Sequence, residues 1–439
     1  MKKISLASPF TRLTLIVAGA ILLVTILGRL VTLQNFESAC AQWPLCAPEN
    51  SAGWLALAHQ LAVAGAGVLM AAFFFSAWKN YRQYMHILPL VTIVTTSYFG
   101  EALIGSVQVL RGFPLHLVIL HGITSVLLWA GLAALIYISA TDSPEPVNYA
   151  PVGFGSRFRD LLTLTKPVVV LLLLATTITT LLAGLGDWPP FSLAFFTLTG
   201  GALAAGGSSA LNQFIDRNLD KNMQRTENRP LAAGRMFPAE GLSFALLLCL
   251  LSYFVLACFV NFAAAALSLA GIFYYVVIYS IWLKTLTVQN IVIGGGAGAI
   301  PPMVGWAAAT GRVDVVSLLL FAIVFFWTPP HFWALAIVRQ GDYARAGVPM
   351  LPVVRGEAET RRQIWIYTLE LVAITLLLPI FHFSGTIYLV SAILLGLWMI
   401  WAAWRVLKTE GNKVAWQMYR WSSVYLLFLF VAFMIDAMV

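Results

Sequence analysis

Apolar runs long enough to cross a bilayer recur along this chain of 439 residues, and no other feature constrains its fold so strongly. A helix needs roughly 20 apolar residues to span the hydrocarbon. Thirteen such runs begin near Thr14, Gly53, Leu88, Leu115, Pro167, Phe191, Glu240, Phe262, Val288, Val313, Gln363, Thr386 and Met418. Lipid offers no partner for a backbone N–H or C=O, so each run closes its own hydrogen bonds as a helix. Charged residues make up 10% of the chain, against roughly 25% in a soluble domain. The expected fold is an all-α polytopic membrane protein. Lys2 and Lys3 precede the first run as they would in a secretory signal, but Leu13 to Leu33 exceeds a signal core and reads as a span.

A net charge of +8 would suggest nucleic acid in a soluble protein. Here the distribution carries the information. Of 26 Lys and Arg, 23 fall on one side of the predicted spans, leaving Arg29, Arg111 and Arg312 on the other. The asymmetry predicts a multi-pass cell-membrane protein with a cytoplasmic N-terminus and an external C-terminus. The partner it implies is the lipid bilayer; nucleic acid is not expected.

Residues 1–140 hold four spans, and 161–439 hold nine. Between them, residues 141–160 (TDSPEPVNYAPVGFGSRFRD) carry prolines, glycines and charges with no apolar face, which predicts a cytoplasmic linker. External connections in the larger part are short. Two internal ones, Asp216 to Pro238 and Arg339 to Arg362, are long and polar. Long loops in a compact bundle are usually functional, which places the expected chemistry on the cytoplasmic face.

The sixth span runs into NQFIDRNLDKNMQRTENRP, with Asn212, Asp216 and Asp220 at i, i+4 and i+8. A continuous helix puts all three on one face, roughly 6 Å apart along the axis. Magnesium prefers oxygen ligands and often takes only one or two carboxylates, completing its shell with water and phosphate. Arg225 and Arg229 follow, and their planar forks suit phosphate oxygens. Any one of these residues alone would read as an ordinary charge at a helix end. A second internal segment, RQGDYARAGVPMLPVVRGE, adds Asp342 with Arg339 and Arg345, and Lys284 lies in the loop between the two segments. The set predicts a site for a metal-bridged diphosphate.

From about residue 160 onward the chain resembles the UbiA family of intramembrane prenyltransferases, and within it the protoheme IX farnesyltransferases, or haem O synthases. The resemblance rests on LTKP (Leu164 to Pro167), NQFIDRNLDKNMQRTENRPLAAGR (Asn212 to Arg235), NIVIGGGAGAIPPMVGW (Asn290 to Trp306), TPPHFWALA (Thr328 to Ala336) and DYARAGVPMLPVV (Asp342 to Val354). It implies a nine-helix bundle around an apolar cavity, Mg²⁺ held by Asn212, Asp216, Asp220 and Asp342, catalysis at those residues and Lys284, and diphosphate binding by Lys166, Arg225, Arg229 and Arg345. The implied reaction joins farnesyl diphosphate to a vinyl group of haem b, with water addition. Many members carry two adjacent acids where this chain has Gly341 and Asp342, which implies a weaker grip on metal there.

His331 follows Thr328, Pro329 and Pro330 inside a span, where prolines free backbone groups that only a cavity or protein neighbours tolerate. It reads either as a packed histidine or as a contact for the haem acceptor. Phe325, Phe326, Trp327, Phe332 and Trp333 are candidates to face a carbocation by cation–π attraction, with helix packing as the equal alternative.

In the first four spans, His59 and His121 stand at matching predicted depth, and two histidines on facing helices read either as a haem-iron clamp or as hydrogen-bonded core histidines. Glu101 lies inside the third span, where a carboxylate is costly; it reads either as functional or as a protonated, buried acid. Cys40 and Cys46 share the first external loop, where a disulfide and two free thiols both remain open; their spacing is wider than CxxC. CAQWPLC, LAHQLAVAGAGVL and LHLVILHGITSVLLWAGL resemble one half of the haem A synthases, which implies bound haem at His59 and His121 and a Cys40–Cys46 disulfide. The departures are serious: one half is present, and Ala56 stands where the catalytic half has an acid. The implied role is haem binding without haem A synthase activity, with haem A synthase or the cytochrome oxidase assembly machinery as partners. Two other readings stay open for the whole chain, a prenyltransferase for an aromatic quinone precursor and a non-catalytic haem carrier.

Overall fold

The structure is a computed structural model that describes residues 8–33, 48–142, 144–149 and 153–439. Cys40 and Cys46 lie outside the described residues. Among the described residues thirteen helices are long and apolar enough to cross a membrane. In chain order they and one short helix are α1 (Pro9–Leu33), α2 (Ser51–Asn80), α3 (Leu88–Leu110), α4 (Leu115–Asp142), α5 (Phe154–Thr165, short), α6 (Pro167–Leu185), α7 (Phe191–Asp220), α8 (Pro238–Phe259), α9 (Phe262–Leu286), α10 (Asn290–Thr310), α11 (Val315–Val338) and, after two further short helices, α14 (Gly356–Ile380), α15 (Thr386–Lys408) and α16 (Asn412–Met438). The two short ones are α12 (Gln340–Arg345) and α13 (Leu351–Val354). Several helices begin earlier than their apolar runs, Gly356 against Gln363 and Asn412 against Met418, because polar turns continue the same hydrogen-bond ladder beyond the hydrocarbon.

The stretch read as a cytoplasmic linker without an apolar face is partly helical. Residues 144–149 are irregular, but Phe154–Thr165 is helical. Phe154, Phe158 and Leu162, four apart, form an exposed apolar stripe on α5, beside Arg157 and Arg159. That pattern suits a helix lying in the headgroup region. Likewise, Arg339 to Arg362 contains α12, α13 and the first turns of α14, so it is a folded segment.

The chain divides into two compact units. One comprises Met1–Phe158 and Met236–Phe254, the other Arg159–Arg235 and Val255–Val439. In the first, Phe10, Met70, Phe73, Ile87 and Leu88 form a buried core, with Phe10 stacked 5.5 Å from Phe73. Glu240 is fully buried at the start of α8 and accepts a hydrogen bond from the Phe237 backbone N–H at 2.9 Å; Arg157 and Arg82 pair with it at 3.3 and 3.7 Å. In the second, Leu320, Ile364, Met399, Tyr425 and Phe430 belong to one buried core. Helices α6 and α10 approach so closely that a Cβ on Gly305 would sit 2.1 Å from the Thr177 carbonyl oxygen.

Three departures from regular helical hydrogen bonding occur within candidate membrane spans of the second unit. Tyr274–Leu283 within α9 is π-helical, Gly295–Ala299 within α10 is 3₁₀, and Pro329 and Pro330 remove two N–H donors from the ladder of α11, which runs on through them. Irregular backbone is tolerated there only where it lines a cavity or is covered by protein. All three segments contribute residues to one cavity.

Candidate active site

The cavity lies within the second unit and has a volume of about 510 Å³. Its deeper wall is apolar and its mouth is charged: Lys166, Arg225, Arg229 and Lys284 face Asp216 and Asp220. Four basic side chains thus stand against two carboxylates.

The break between α5 and α6 is what places Lys166. Pro167 disfavours the α conformation at the residue before it, and Lys166 adopts a left-handed conformation, φ 51° and ψ 64°. This costs a non-glycine residue roughly 1–2 kcal/mol. Gln213 compensates by donating from Nε2 to the carbonyls of Thr163 and Leu164 at 3.1 and 3.0 Å, fixing the end of α5 against α7. The Lys166 ammonium consequently donates to Asn212 Oδ1 at 2.9 Å.

Asn212 passes the contact on. Its Nδ2 donates to Asp216 Oδ2 at 2.7 Å and to Ser280 Oγ at 3.1 Å. Ser280 Oγ donates to the Tyr275 carbonyl five residues back, at 2.8 Å, a reach that the π-helical turn creates. Asp216 also binds Lys284. Lys284 belongs to the last turn of α9, not to a loop as the sequence suggested. One turn beyond Asp216, Asp220 accepts from Arg229 Nη1 at 3.0 and 2.8 Å. Lys166 pays for this company: burial first, then the charges of Arg229 and Lys284, pull its pKa down to about 7 against the opposing pull of Asp216 and Asp220. An anionic ligand at the mouth would relieve that repulsion.

The second acidic segment stands differently. Asp342 is buried and bound by Arg345, and neither belongs to the cavity lining; Arg345 and Arg339 are exposed. Their neighbour Tyr343 does line it, with Val348 and Met350. Among the described residues no group of three or more His, Cys, Asp or Glu could by itself hold a metal ion. Hard oxygen donors in the ladder nonetheless suit magnesium, which commonly completes its shell with ligand phosphates.

Of the five aromatic candidates, Trp327 and Phe332 line the cavity, whereas Phe325, Phe326 and Trp333 do not. Trp333 is buried edge-on against Tyr367. Two aromatic residues that sequence reasoning missed, Tyr275 and Tyr279, line the cavity and stack on each other at 5.6 Å. Gly294 makes room for the second: a Cβ there would lie 2.2 Å from Tyr279 Cδ2. Their i, i+4 spacing was the available signal. His331 lines the cavity too, buried between Trp327 and Tyr419.

In the first unit, His59 packs against Gly28, where a Cβ would lie 2.9 Å from its Cε1, and His121 faces Gly105. Glu101 Oε1 lies 3.3 Å from His121 Nδ1. His59 Nδ1, His121 Nδ1 and Glu101 Oε2 are buried without a hydrogen-bond partner. Buried polar atoms are seldom left so, and imidazole nitrogens are of the donor type that could hold a haem iron.

Comparison with known proteins adds to this geometry. Residues 173–424 match the UbiA prenyltransferase family. The chain is 40% identical over 440 residues to the protoheme IX farnesyltransferase of Roseiflexus castenholzii, covering 95% of this chain and 82% of that one. It is 49% identical over 284 residues to the protoheme IX farnesyltransferase of Trichodesmium erythraeum, covering 64% of this chain and 86% of that one. A solved structure from work on digeranylgeranylglyceryl phosphate synthase in membranes aligns with a TM-score of 0.55 at 16% identity, over 64% of this chain and 99% of the other. At that identity the likeness is one of fold. With a family match over more than half its length and a relative aligned along nearly all of it, the chain belongs to the UbiA prenyltransferase family.

Proposed function

We infer that the chain transfers the farnesyl group of farnesyl diphosphate to a vinyl group of haem b, giving haem O and pyrophosphate. The observation that carries this is a cavity with a cationic mouth and an apolar interior, in a chain 40% and 49% identical to proteins named for that reaction.

The diphosphate sits at the mouth, where Lys166, Lys284, Arg225 and Arg229 offset the negative charge that grows as the allylic C–O bond breaks. Such preorganised charge is usually the largest contribution to catalysis of this kind. Magnesium, when bound, supplies Lewis-acid charge at the diphosphate oxygens; Asn212, Asp216 and Asp220 would hold it, and Asp342, outside the cavity lining and paired with Arg345, would have to leave that pair to join them. The farnesyl carbon bonds to the terminal vinyl carbon of haem b, water adds to the adjacent carbon, and one proton leaves. Tyr275, Tyr279, Trp327 and Phe332 present aromatic faces that stabilise a cation without trapping it.

The first four spans form a haem-binding module on this reading, residues 1–140, joined through 141–160 to the transferase, residues 161–439. His59 and His121 would hold the iron, and Glu101 orients His121. The charge asymmetry supports a cytoplasmic N-terminus and an external C-terminus, with haem A synthase or the cytochrome oxidase assembly machinery as partners.

Expression in a strain lacking its own haem O synthase tests the function. The expected result is haem O, identified by mass spectrometry. Accumulation of haem b alone, with the protein present in the membrane, would overturn it.

A further inference from the structure

We propose that Asn290 holds the water that adds to the farnesylated haem, and so decides that the product is an alcohol and not an alkene; this rests on the haem-acceptor reading above.

Among the described residues, two buried side-chain atoms of the cavity lining have no hydrogen-bond partner, Ser209 Oγ and Asn290 Oδ1. A serine hydroxyl rotates and can turn back to a carbonyl of its own helix. Asn290 has no such freedom. It opens α10, is 1% exposed, and donates from its backbone N–H to the Thr287 carbonyl at 3.3 Å and from Nδ2 to the Lys284 carbonyl at 3.2 Å. Exchanging the two ends of the amide would set its oxygen against the Lys284 carbonyl, acceptor against acceptor. Oδ1 is therefore the end left open, and a buried acceptor left unpaired costs about 1–3 kcal/mol.

Chemistry decides what can meet that oxygen. Farnesyl diphosphate and a haem with ionised propionates bring acceptors only, since neither carries an N–H or O–H. Water is the one reactant with hydrogens to donate. Position agrees with this. The Lys284 ammonium binds Asp216 at the cavity mouth, so Asn290, tied to the Lys284 backbone, stands at the diphosphate end. The residues after it on α10 that line the cavity, Ile291, Gly294, Gly295, Ala297 and Gly298, carry no polar side chain.

The allylic C–O bond breaks with its electron pair on pyrophosphate, and the farnesyl carbon bonds to the terminal vinyl carbon through the vinyl π pair. The cation then lies on the adjacent vinyl carbon, close to where the diphosphate was. A water that donates one hydrogen to Asn290 Oδ1 turns a lone pair on that carbon; the new C–O bond forms, and the water's other proton passes to a pyrophosphate oxygen. Without a held water, the same cation loses a proton from the neighbouring CH₂ and closes to an alkene, lighter by one water.

The test gives the full-length protein magnesium, haem b and labelled farnesyl diphosphate, and separates the products by mass. The unsubstituted chain is expected to make the alcohol almost exclusively. Asn290→Leu, and Asn290→Val as the smaller apolar replacement, are expected to shift the ratio of alkene to alcohol by about 10²-fold, the scale for one misplaced reactant. Asn290→Asp, which keeps an oxygen there, should hold the ratio near the unsubstituted value. A merely structural loss would slow both products alike. An unchanged ratio in a Leu or Val variant that still farnesylates haem would overturn the water site alone, as would a ratio that Ser209→Ala shifts instead. A raised magnesium requirement with the product still an alcohol would also overturn it, assigning the water to the metal's shell. Failure of the unsubstituted chain to farnesylate haem would overturn the acceptor reading, and this inference with it.

Discussion

Lys166 and Asn212 meet at 2.9 Å across the break between α5 and α6, and Gln213, the residue after Asn212, holds that break closed with two hydrogen bonds to α5 carbonyls. Gln213 is buried and does not line the cavity. Each lost bond costs about 0.5–1.5 kcal/mol. Gln213→Ala is expected to lower thermal stability modestly and to raise KM for farnesyl diphosphate, because Lys166 loses its fixed direction. Steady-state kinetics with varied diphosphate checks this; an unchanged KM would show that Lys166 is positioned by its own turn.

Asp216 and Asp220 each bind a cation at the mouth. Asp216→Asn and Asp220→Asn are each expected to reduce turnover about 10²–10³-fold, the range for losing one preorganised electrostatic group. The optical spectrum of bound haem should persist in both. Chelating divalent metal should abolish transfer and added magnesium should restore it, measured with labelled farnesyl diphosphate.

A methyl group at Gly294 would lie 2.2 Å from the Tyr279 ring. Gly294→Ala is expected to destabilise the protein by about 1–3 kcal/mol through overpacking, and to lower turnover further by displacing Tyr279 from the cavity wall. Thermal unfolding in detergent and single-turnover rates separate the two effects. The paired variant with Tyr279→Leu should recover stability without recovering rate.

His59 and His121 present orphaned nitrogens in the first unit. Either His59→Ala or His121→Ala is expected to remove a low-spin haem spectrum from that unit. Glu101→Gln should retain the haem and shift its reduction potential, since the residue lies 3.3 Å from His121 without binding iron itself. Absorbance and potentiometric titration report both; a low-spin spectrum that survives both histidine substitutions would place the haem elsewhere.

The spans and the acidic ladder were legible in the sequence because both obey simple periods. Apolar runs of bilayer length have one solution in lipid, and Asn212, Asp216 and Asp220 share a face of any regular helix. What escaped depends on departures from regularity. Tyr275 and Ser280 come together with Asn212 through a π-helical turn that no apolar pattern marks. Lys284 was read as a loop residue because a cation ends the apolar run, although the helix continues through it. Ser422 lies 91 residues from His331, a pairing that only the packing of α11 against α16 brings about. Phe154, Phe158 and Leu162 were hidden by the prolines and glycines that precede them, so their apolar stripe was not foreseen.

The most direct measurement is a competition: purified full-length protein with magnesium and labelled farnesyl diphosphate, offered haem b and 4-hydroxybenzoate together, with the products separated by mass. The account predicts label in a farnesylated, hydroxylated haem and none in the benzoate, with the signal lost in the Asp216→Asn, Asp220→Asn double variant. Label in the benzoate alone, or haem labelling that the double variant leaves untouched, would contradict it.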